Sequence, residues 1–211
     1  MTDFIPLFPL KMVVFPGEQL NLHIFEPRYK QLIREVEQNG TTFGIPAFID
    51  NKIMSLGTEI ELLDIVKRYD DGKLDIKTQG IGLFRIDTYY EEAAGKLYAG
   101  ADIERVEHQG EGDPALSRRI LRYLNELFAL LKINKKVPKT EDRFDSFEIA
   151  HHVGFSLEQE YEFLCQSSEL ERQDYMVSHL EQMIPVVREM ERLRKRVQLN
   201  GHFKNVIPPR T

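Results

Sequence analysis

The chain has 211 residues, of which 42% are hydrophobic and 29% are charged, and its formal net charge is −6. This length suits one or two packed domains, and the apolar fraction excludes a disordered chain. No apolar run approaches the roughly 18 to 20 residues that cross a bilayer, and the first residues, with Asp3 and two prolines, lack the basic start of a secretory signal. The single cysteine, Cys165, excludes an intrachain disulfide framework. We therefore expect a cytoplasmic protein.

The acidic excess lies entirely in the first half of the chain. Residues 1–107 hold 12 basic and 18 acidic side chains, whereas residues 108–211 hold 16 of each. Proteins that bind nucleic acid need clustered lysine and arginine to displace the counterions of the phosphates. The first half is therefore a poor candidate for an RNA-binding surface.

Short runs rich in Val, Ile, Leu, Phe and Tyr, broken by Gly, Pro and Asp, fill this first half. Leu20, Leu22 and Ile24 recur at the period of a half-buried strand, and the turn signal at Asp70–Gly72 favours a hairpin. The other runs that indicate strands are 59–62, 73–78, 83–86 and 98–106. About six strands with closely spaced turns predict a small, antiparallel-rich β-barrel.

One helix interrupts these strands. Pro27 suits a first helical turn, an apolar stripe at helical spacing runs from Tyr29 to Val36, and Gly40 stands where the helix should end. We expect this helix to plug one side or one end of the barrel.

After the linker 109–112, the apolar period becomes helical. Asp113 with Pro114 suits the cap and first turn of a helix that ends near Lys135. Three further helix starts have the spacing of a capping box. They are Asp145 with Glu148, Ser156 with Gln159, and Ser168 with Glu171.

The last of these starts opens a long segment that reaches roughly Leu199, with Gly201 as its stop. A kink or a break into two helices is expected at Pro185. The sequence thus predicts an α+β protein in two parts. Residues 1–108 form a six-stranded β-barrel with one helix, and residues 113–203 form an α-helical bundle of four or five helices with a long C-terminal helix.

The motifs of common enzyme classes are missing from the sequence. It has no phosphate-binding loop of the Walker type, no Gly-x-Ser-x-Gly elbow and no His-Glu-x-x-His pair. Gly80 and Gly82 resemble the start of a dinucleotide fingerprint, but the third glycine and a following helix are absent, so a bulge or tight bend in a strand is the favoured interpretation. We therefore expect a protein that is not an enzyme and holds no cofactor.

Three side chains that could carry metal or nucleophile chemistry are better explained as ordinary structure. Glu148 and His151 have a spacing that carboxylate bundles use for metals, but no further ligands with that spacing appear, and His152 points about 100° away from its neighbour on a helix. Cys165 follows apolar residues as a small buried side chain would. We predict no metal site.

The segment Arg188–Arg196 is rich in arginine and lysine but also contains two glutamates. One interpretation is an anion or nucleic-acid patch. The favoured one is a set of cations that complements the dipole at a helix C-terminus and solvates the outer face.

The junction between the strand at 20–24 and the helix at Pro27 is the strongest candidate binding site. Phe25 falls on the opposite face of the strand from its leucines, and Glu26, Arg28 and Tyr29 follow at once. Rigid aromatic rings and arginine anchor protein interfaces, so Phe25, Glu26, Arg28 and Tyr29 are candidate contacts with a protein partner. The alternative is a structural corner, in which Glu26 and Arg28 pair and Phe25 packs under the helix.

Several of these motifs occur together in a known family. The order of Val13-Val14-Phe15-Pro16-Gly17, then Phe25-Glu26-Pro27-Arg28-Tyr29, resembles the opening signature of the Lon protease N-terminal domain. The runs 57–60, 79–86 and 98–100 resemble later strands of that domain in order. The resemblance covers residues 4–107 well, and the helical part to about residue 200 in pattern only.

The resemblance implies a PUA-like β-barrel followed by a helical bundle with a long last helix. It also implies a region that recognises protein substrates and helps to assemble a hexamer. The ATPase and Ser-Lys protease domains that follow in Lon proteases have no counterpart in these residues, so we expect a stand-alone Lon N-terminal domain protein.

The leading functional hypothesis is a non-enzymatic module that binds protein or unfolded polypeptide, with homo-oligomerisation possible. The alternative is RNA binding, because PUA-like barrels hold RNA in other families, through the basic Arg188–Arg196 segment. Most of the signature is predicted to be structural, with Pro16 and Gly17 forming a turn between strands. This structural set comprises Phe15, Pro16, Gly17, Pro27, Gly80 and Gly82.

Overall fold

The computed structural model describes residues 3–107, 110–134 and 144–202. Its strands are β1 (Asp3–Leu7), β2 (Gln19–Ile24), β3 (Phe43–Ile49), β4 (Lys52–Arg68), β5 (Leu74–Tyr90) and β6 (Ala99–Val106). Its helices are α1 (Pro27–Asn39), α2 (Pro114–Leu131), a 3₁₀ helix (Ser146–His152), α3 (Leu157–Leu164) and α4 (Glu169–His202). The mixed α+β class and the long C-terminal helix are confirmed.

Five of the six strands form a closed ring. β5 pairs with β4, β4 with β3, β3 with β1, β1 with β6, and β6 returns to β5. All of these pairings are antiparallel except the short parallel contact between β1 and β3. β2 lies outside the ring and pairs along its length with β5 alone, so within the described residues no strand pairs with its other edge.

The strands are longer and less interrupted than the sequence pattern predicts. The runs 73–78 and 83–86 belong to one 17-residue strand, β5. Its pairing with β4 shifts register where Glu59 faces Gly82 and Ile60 faces Gly80, so Ile81 is the extra residue of a bulge. The bulge expected at this pair of glycines is therefore present. A side chain at Gly80 would meet the carbonyl oxygen of Phe15 at 2.6 Å, which is why only glycine fits there.

Helix α1 matches its prediction closely. It begins at Pro27 and ends at Gly40, whose φ of 61° is left-handed and whose N–H donates to the carbonyl of Val36. The helix buries Tyr29, Leu32, Ile33 and Val36. These side chains join residues of β2 to β5 in one apolar core, so α1 covers the inner face of the sheet beside the ring.

The chain divides into two compact units, and the division is not the sequential one predicted. One unit contains residues 1–110 and 145–169, and the other contains 111–144 and 170–211. The 3₁₀ helix and α3 therefore belong with the barrel rather than with the helices before and after them. The reason is aromatic packing, because Phe147 and Phe163 lie 5.4 and 5.7 Å from the ring of Phe15.

Both predicted N-caps of these two helices form, but the reciprocal capping box is complete only in the second, and the first helix differs in type. Asp145 accepts a hydrogen bond from the N–H of Phe147, but the helix that it begins is 3₁₀ rather than α. Ser156 and Gln159 form the complete reciprocal capping box of α3.

The second unit contains α2 and α4. Asp113 caps α2 by accepting from the N–H of Ala115, as its position predicts. The two helices are joined by bonds such as Gln173 to Ser117 at 3.0 Å and Tyr123 to Glu181 at 2.8 Å. α4 is one helix that passes through Pro185 without a break and continues past Gly201 to His202. No helix within the described residues is long and apolar enough to cross a membrane.

Candidate functional site

The corner between β2 and α1 holds the four predicted binding residues. β2 ends at Ile24, which is buried, and the alternation of the strand turns the ring of Phe25 outward, where it is 56% exposed. Glu26 stands at the helix cap in an extended conformation, and its carbonyl accepts the N–H groups of Tyr29 and Lys30. Because Pro27 fixes the first helical turn, the backbone beside Phe25 is held on both sides.

Glu26 and Arg28 form an ion pair across this corner. The Arg28 Nε and guanidinium lie 2.9 and 2.8 Å from Glu26 Oε2, and the two side chains are 51% and 39% exposed. The guanidinium also lies over the ring of Tyr29, 4.5 Å from its centroid. The pair therefore braces the corner at its surface and leaves charged groups accessible beside the ring of Phe25.

Tyr29 differs from the other three candidates because it is buried. Its ring centroid lies 3.8 Å from that of Phe8, and burial raises the pKa of its hydroxyl although the Arg28 charge opposes this. Tyr29 forms the base of the corner, whereas Phe25, Glu26 and Arg28 form its surface. The structure thus combines the two interpretations: the Glu26–Arg28 pair exists, but Phe25 does not pack under the helix.

Three residues that the sequence pattern did not single out extend this surface. His23 stacks near Phe25 with 6.1 Å between ring centroids, and its Nδ1 lies 2.6 Å from Asp75. The Tyr69 hydroxyl donates to the same carboxylate at 2.7 Å. These two hydrogen bonds lower the pKa of Asp75. The two-residue period of β2 places His23 and Phe25 on one face. Tyr69 comes after β4 and Asp75 lies in β5, and local spacing does not give the register that sets Asp75 opposite His23.

A second exposed apolar surface lies at the hairpin between β3 and β4. It is a groove of about 440 Å³ whose apolar walls come from Phe48, Ile53, Met54, Ile86 and Tyr89. Burial raises the pKa of Tyr89, and the Arg28 charge opposes that rise. Sequence periodicity gives no signal for the groove, because polar and apolar residues do not alternate around Ile53 and Met54.

The turn that precedes β2 is built from the signature residues assigned a structural role. Gly17 has φ of 82°, and the N–H of Glu18 donates to the Phe15 carbonyl at 3.1 Å, which is a tight turn with glycine at its left-handed position. The N–H of Gly17 donates to the carbonyl of Gly80 at 2.8 Å. Phe15, the first residue of this turn, is 1% exposed and belongs to the core, whereas Gly17 is exposed.

His151 closes the aromatic cluster around Phe15. Its Nδ1 lies 2.7 Å from Glu160 and its Nε2 lies 3.1 Å from Glu18, while its ring centroid is 4.7 Å from that of Phe15. Burial alone lowers the pKa of His151, but the bonds and charges of Glu160 and Glu18 outweigh it and raise the pKa to about 9. The histidine is therefore a charged clamp between the barrel and the segment 145–169. Among the described residues no group of acidic, histidine or cysteine side chains is arranged to hold a metal.

Two further predictions concern single surface features. Cys165 is exposed, so the prediction of a buried side chain was wrong. It comes after the last residue of α3, Leu164, where the helix no longer turns it toward the core.

In the basic segment of α4, Arg188, Arg192 and Arg194 each form an ion pair, with Glu126, Glu189 and Glu191 respectively. Three of the five cations of this segment thus have a glutamate partner.

Comparison with solved structures defines the class of fold. A crystal structure of a Lon N-terminal domain protein from Xanthomonas campestris matches with a TM-score of 0.67 and 22% identity, over 83% of this chain and 98% of that one. The N-terminal domain of the Mycobacterium avium complex Lon protease matches with a TM-score of 0.59 and 14% identity, over 85% and 98%. The fold is therefore that of Lon N-terminal domains.

The sequence itself matches a family model. Residues 5–185 fit the model of the ATP-dependent protease La (LON) substrate-binding domain. The chain belongs to this family, and it is a substrate-binding module that the Lon resemblance correctly identified. The matched region is the N-terminal substrate-binding domain and does not include the catalytic domain.

Proposed function

We propose that the protein binds unfolded polypeptide segments without catalysing a reaction on them, and that it does so in the cytoplasm. The observation that carries this proposal is Phe25, a phenylalanine that is more than half exposed on a backbone corner fixed by Pro27 and by the Glu26–Arg28 pair. An exposed ring on a rigid support loses little conformational entropy on binding, which favours recognition of apolar side chains. Unfolded chains expose such side chains, whereas folded proteins bury them.

The test measures, by fluorescence anisotropy, how tightly this protein binds a second protein that has been reduced and carboxymethylated. Phe25→Ala should weaken binding by tenfold or more at an unchanged melting temperature. Phe4→Ala is the matched control, because Phe4 is 52% exposed but lies on β1. If Phe4→Ala weakens binding as much, Phe25 has no special role.

The groove at the β3–β4 hairpin provides a second arm of the same experiment. Tyr89 is 41% exposed and forms one wall of this groove, which Tyr89→Ala removes. A loss of binding in Tyr89→Ala but not in Phe25→Ala would move the contact surface to the groove. Absence of binding by the wild-type protein at high micromolar concentrations would refute the proposal itself.

RNA binding receives no support from the second unit. Affinity for RNA needs cations that are free to contact phosphates, and three of the five cations in the Arg188–Arg196 segment are paired with glutamates. A gel shift with single-stranded RNA at low salt should show no complex, and a salt-dependent complex lost on Arg-to-Gln substitution would revive this alternative.

Self-association is supported by a separate feature of α4. Val186, Met190, Leu193 and Val197 are each at least half exposed and recur every four and three residues, the spacing of a coiled-coil seam. We propose that this seam forms a homo-oligomer, with the binding surface on the barrel unit left to substrate. Sedimentation analysis should show a smaller species for Leu193→Glu than for the wild-type protein.

A further inference from the structure

The outer edge of β2 has the features of a docking site for an extended chain. β2 pairs with β5 from Gln19 to Ile24 without a register break, and among the described residues no strand pairs with its other side. An unpaired edge presents a row of backbone N–H and C=O groups, which is a template for one more strand.

The hydrogen bonds at the start of β2 show which residues present these groups. Gly80 donates its N–H to the carbonyl of Glu18 at 2.9 Å. Hydrogen-bonded and non-bonded pairs alternate along an antiparallel ladder, so Leu20 and Leu22 direct their backbone groups toward β5. Asn21 and His23, together with Gln19, direct theirs toward the open edge.

The side chains at this edge leave apolar surface for a further strand to cover. Leu20 and Leu22 face the core and pack against it, yet both are only half-buried, whereas Ile24 is 1% exposed. An added strand would place its own inward side chains beside these leucines. At the end of β2 it would meet the exposed ring of Phe25.

The charge around the edge selects the chemistry of the added segment. Residues 1–107 carry a net charge of −6. A cleft of about 500 Å³ lies where β2 begins, and its lining includes the acidic Glu18, Asp145 and Glu148 together with His151 and His152, of which His151 is bonded to Glu18. Opposite charges favour association and suppress wrong partners, so a segment with lysine or arginine at its end is favoured over an acidic one.

We propose that the edge of β2 binds an extended, apolar segment carrying terminal lysine or arginine by adding it as a seventh strand. This inference rests on the proposed function and specifies how an unfolded substrate is held. The backbone bonds give affinity for any extended chain, while the alternating side chains and the cationic end give selectivity. The site spans the six residues of β2, with Phe25 at one end and the acidic cleft at the other.

The test uses a labelled nine-residue peptide that alternates valine and threonine and carries lysine at each end, measured by fluorescence anisotropy. Asn21→Pro removes one outward N–H and leaves the ladder with β5 intact, because proline is tolerated on an edge whose N–H faces solvent. It should weaken binding at least tenfold. Asn21→Ala, which removes only the side chain, should bind within threefold of the wild-type protein.

Two isomers of the peptide, N-methylated on one or the other set of alternate residues, test the same contact on the unaltered protein. Only one set faces β2, so one isomer should lose at least tenfold in affinity while the other stays within threefold of the parent peptide. Any other pattern of affinities overturns the proposal. This peptide test decides the question even if Asn21→Pro fails to fold.

The outcomes separate this inference from the proposed function. If the wild-type protein binds carboxymethylated protein but Asn21→Pro binds as well as Asn21→Ala, strand addition is wrong and the proposed function stands. If the wild-type protein binds neither probe, both fail. A dimer abolished by Asn21→Pro, without peptide binding, would assign the edge to a second copy and overturn the inference.

Discussion

The two ends of β2 carry similar residues but differ sharply in burial. Each end has a phenylalanine followed within two residues by a proline: Phe15 with Pro16 before the strand, and Phe25 with Pro27 after it. Phe15 is 1% exposed and surrounded by aromatic rings, whereas Phe25 is 56% exposed. Burial, not residue type, separates the structural half of this signature from the half that remains available to a partner.

The difference follows from what each end must join. The first end is a reversal of the chain, where Gly17 and Gly80 bring two backbones into contact and the segment 145–169 covers the result. The second end passes from a strand into a helix, and only the helix side is covered, through Tyr29. Two similar motifs within about a dozen positions can therefore differ, one holding the core together and the other lying at the surface.

Truncation of the two phenylalanines should give the largest contrast. Phe15→Ala removes a fully buried ring from contact with Phe147 and Phe163, and such a change costs about 3 to 5 kcal/mol of unfolding free energy. Phe25→Ala removes a mostly exposed ring and should change stability by about 0.5 kcal/mol or less. Urea denaturation of both variants measures this. Equal losses would show that the two ends do not differ as described.

The clamp at His151 predicts a loss of stability at alkaline pH that the corner at Phe25 does not share. The folded-state pKa of about 9 lies above the ordinary value of 6.5, so the stabilisation is complete below pH 6.5 and is lost as the pH rises through 9. The difference between 6.5 and about 9, at about 1.4 kcal/mol per pKa unit, sets an upper bound of about 3.5 kcal/mol, and solvent around the 32% exposed side chain reduces the effect below this bound.

The matched control for this pH profile is His151→Gln, which keeps a polar side chain beside Glu160 and Glu18 but cannot carry the proton. Its unfolding free energy should fall much less between pH 6.5 and 10 than that of the wild-type protein. Parallel profiles would mean that another group titrates. The melting of segment 145–169, followed by hydrogen exchange, should track the same pH range because His151 joins it to the barrel.

Gly17→Val tests the turn itself. Valine at φ of 82° is strained because its branched Cβ disfavours the left-handed region, and a cost of about 1 to 3 kcal/mol is expected. Gly17→Asn is the matched variant, since asparagine tolerates this conformation better and should lose about half as much. If the two variants are equally stable, the positive φ does not limit the turn.

The parts of this fold that follow local chemistry could be predicted from the sequence. Pro27 and Gly40 bound α1, Asp113 caps α2, and Ser156 with Gln159 forms a capping box, because each motif acts within one helical turn. The exposed face of Phe25 also followed from the period of its strand.

The remaining features depend on distant residues and gave no local signal. β3 (Phe43–Ile49) is buried on both faces, so it has no alternation to recognise. The His151–Glu18 contact joins residues 133 positions apart, and the assignment of 145–169 to the barrel depends on the same long-range packing. Only the structure shows which helical segment packs with the barrel, and that segment is 145–169.

Arg28→Ala should have the smallest effect on stability. It tests whether the Glu26–Arg28 pair stabilises the corner. Both side chains are largely solvated, so their ion pair contributes about 1 kcal/mol or less and weakens in high salt. Arg28 also lies over Tyr29, but Tyr29 stays anchored on Phe8 without it. We expect urea denaturation to show a loss of about 1 kcal/mol at most, smaller in 1 M NaCl. A substantially larger loss would mean that the exposed end of β2 is held by its surface charges rather than by the buried tyrosine, and Phe25 would then share the structural role of Phe15.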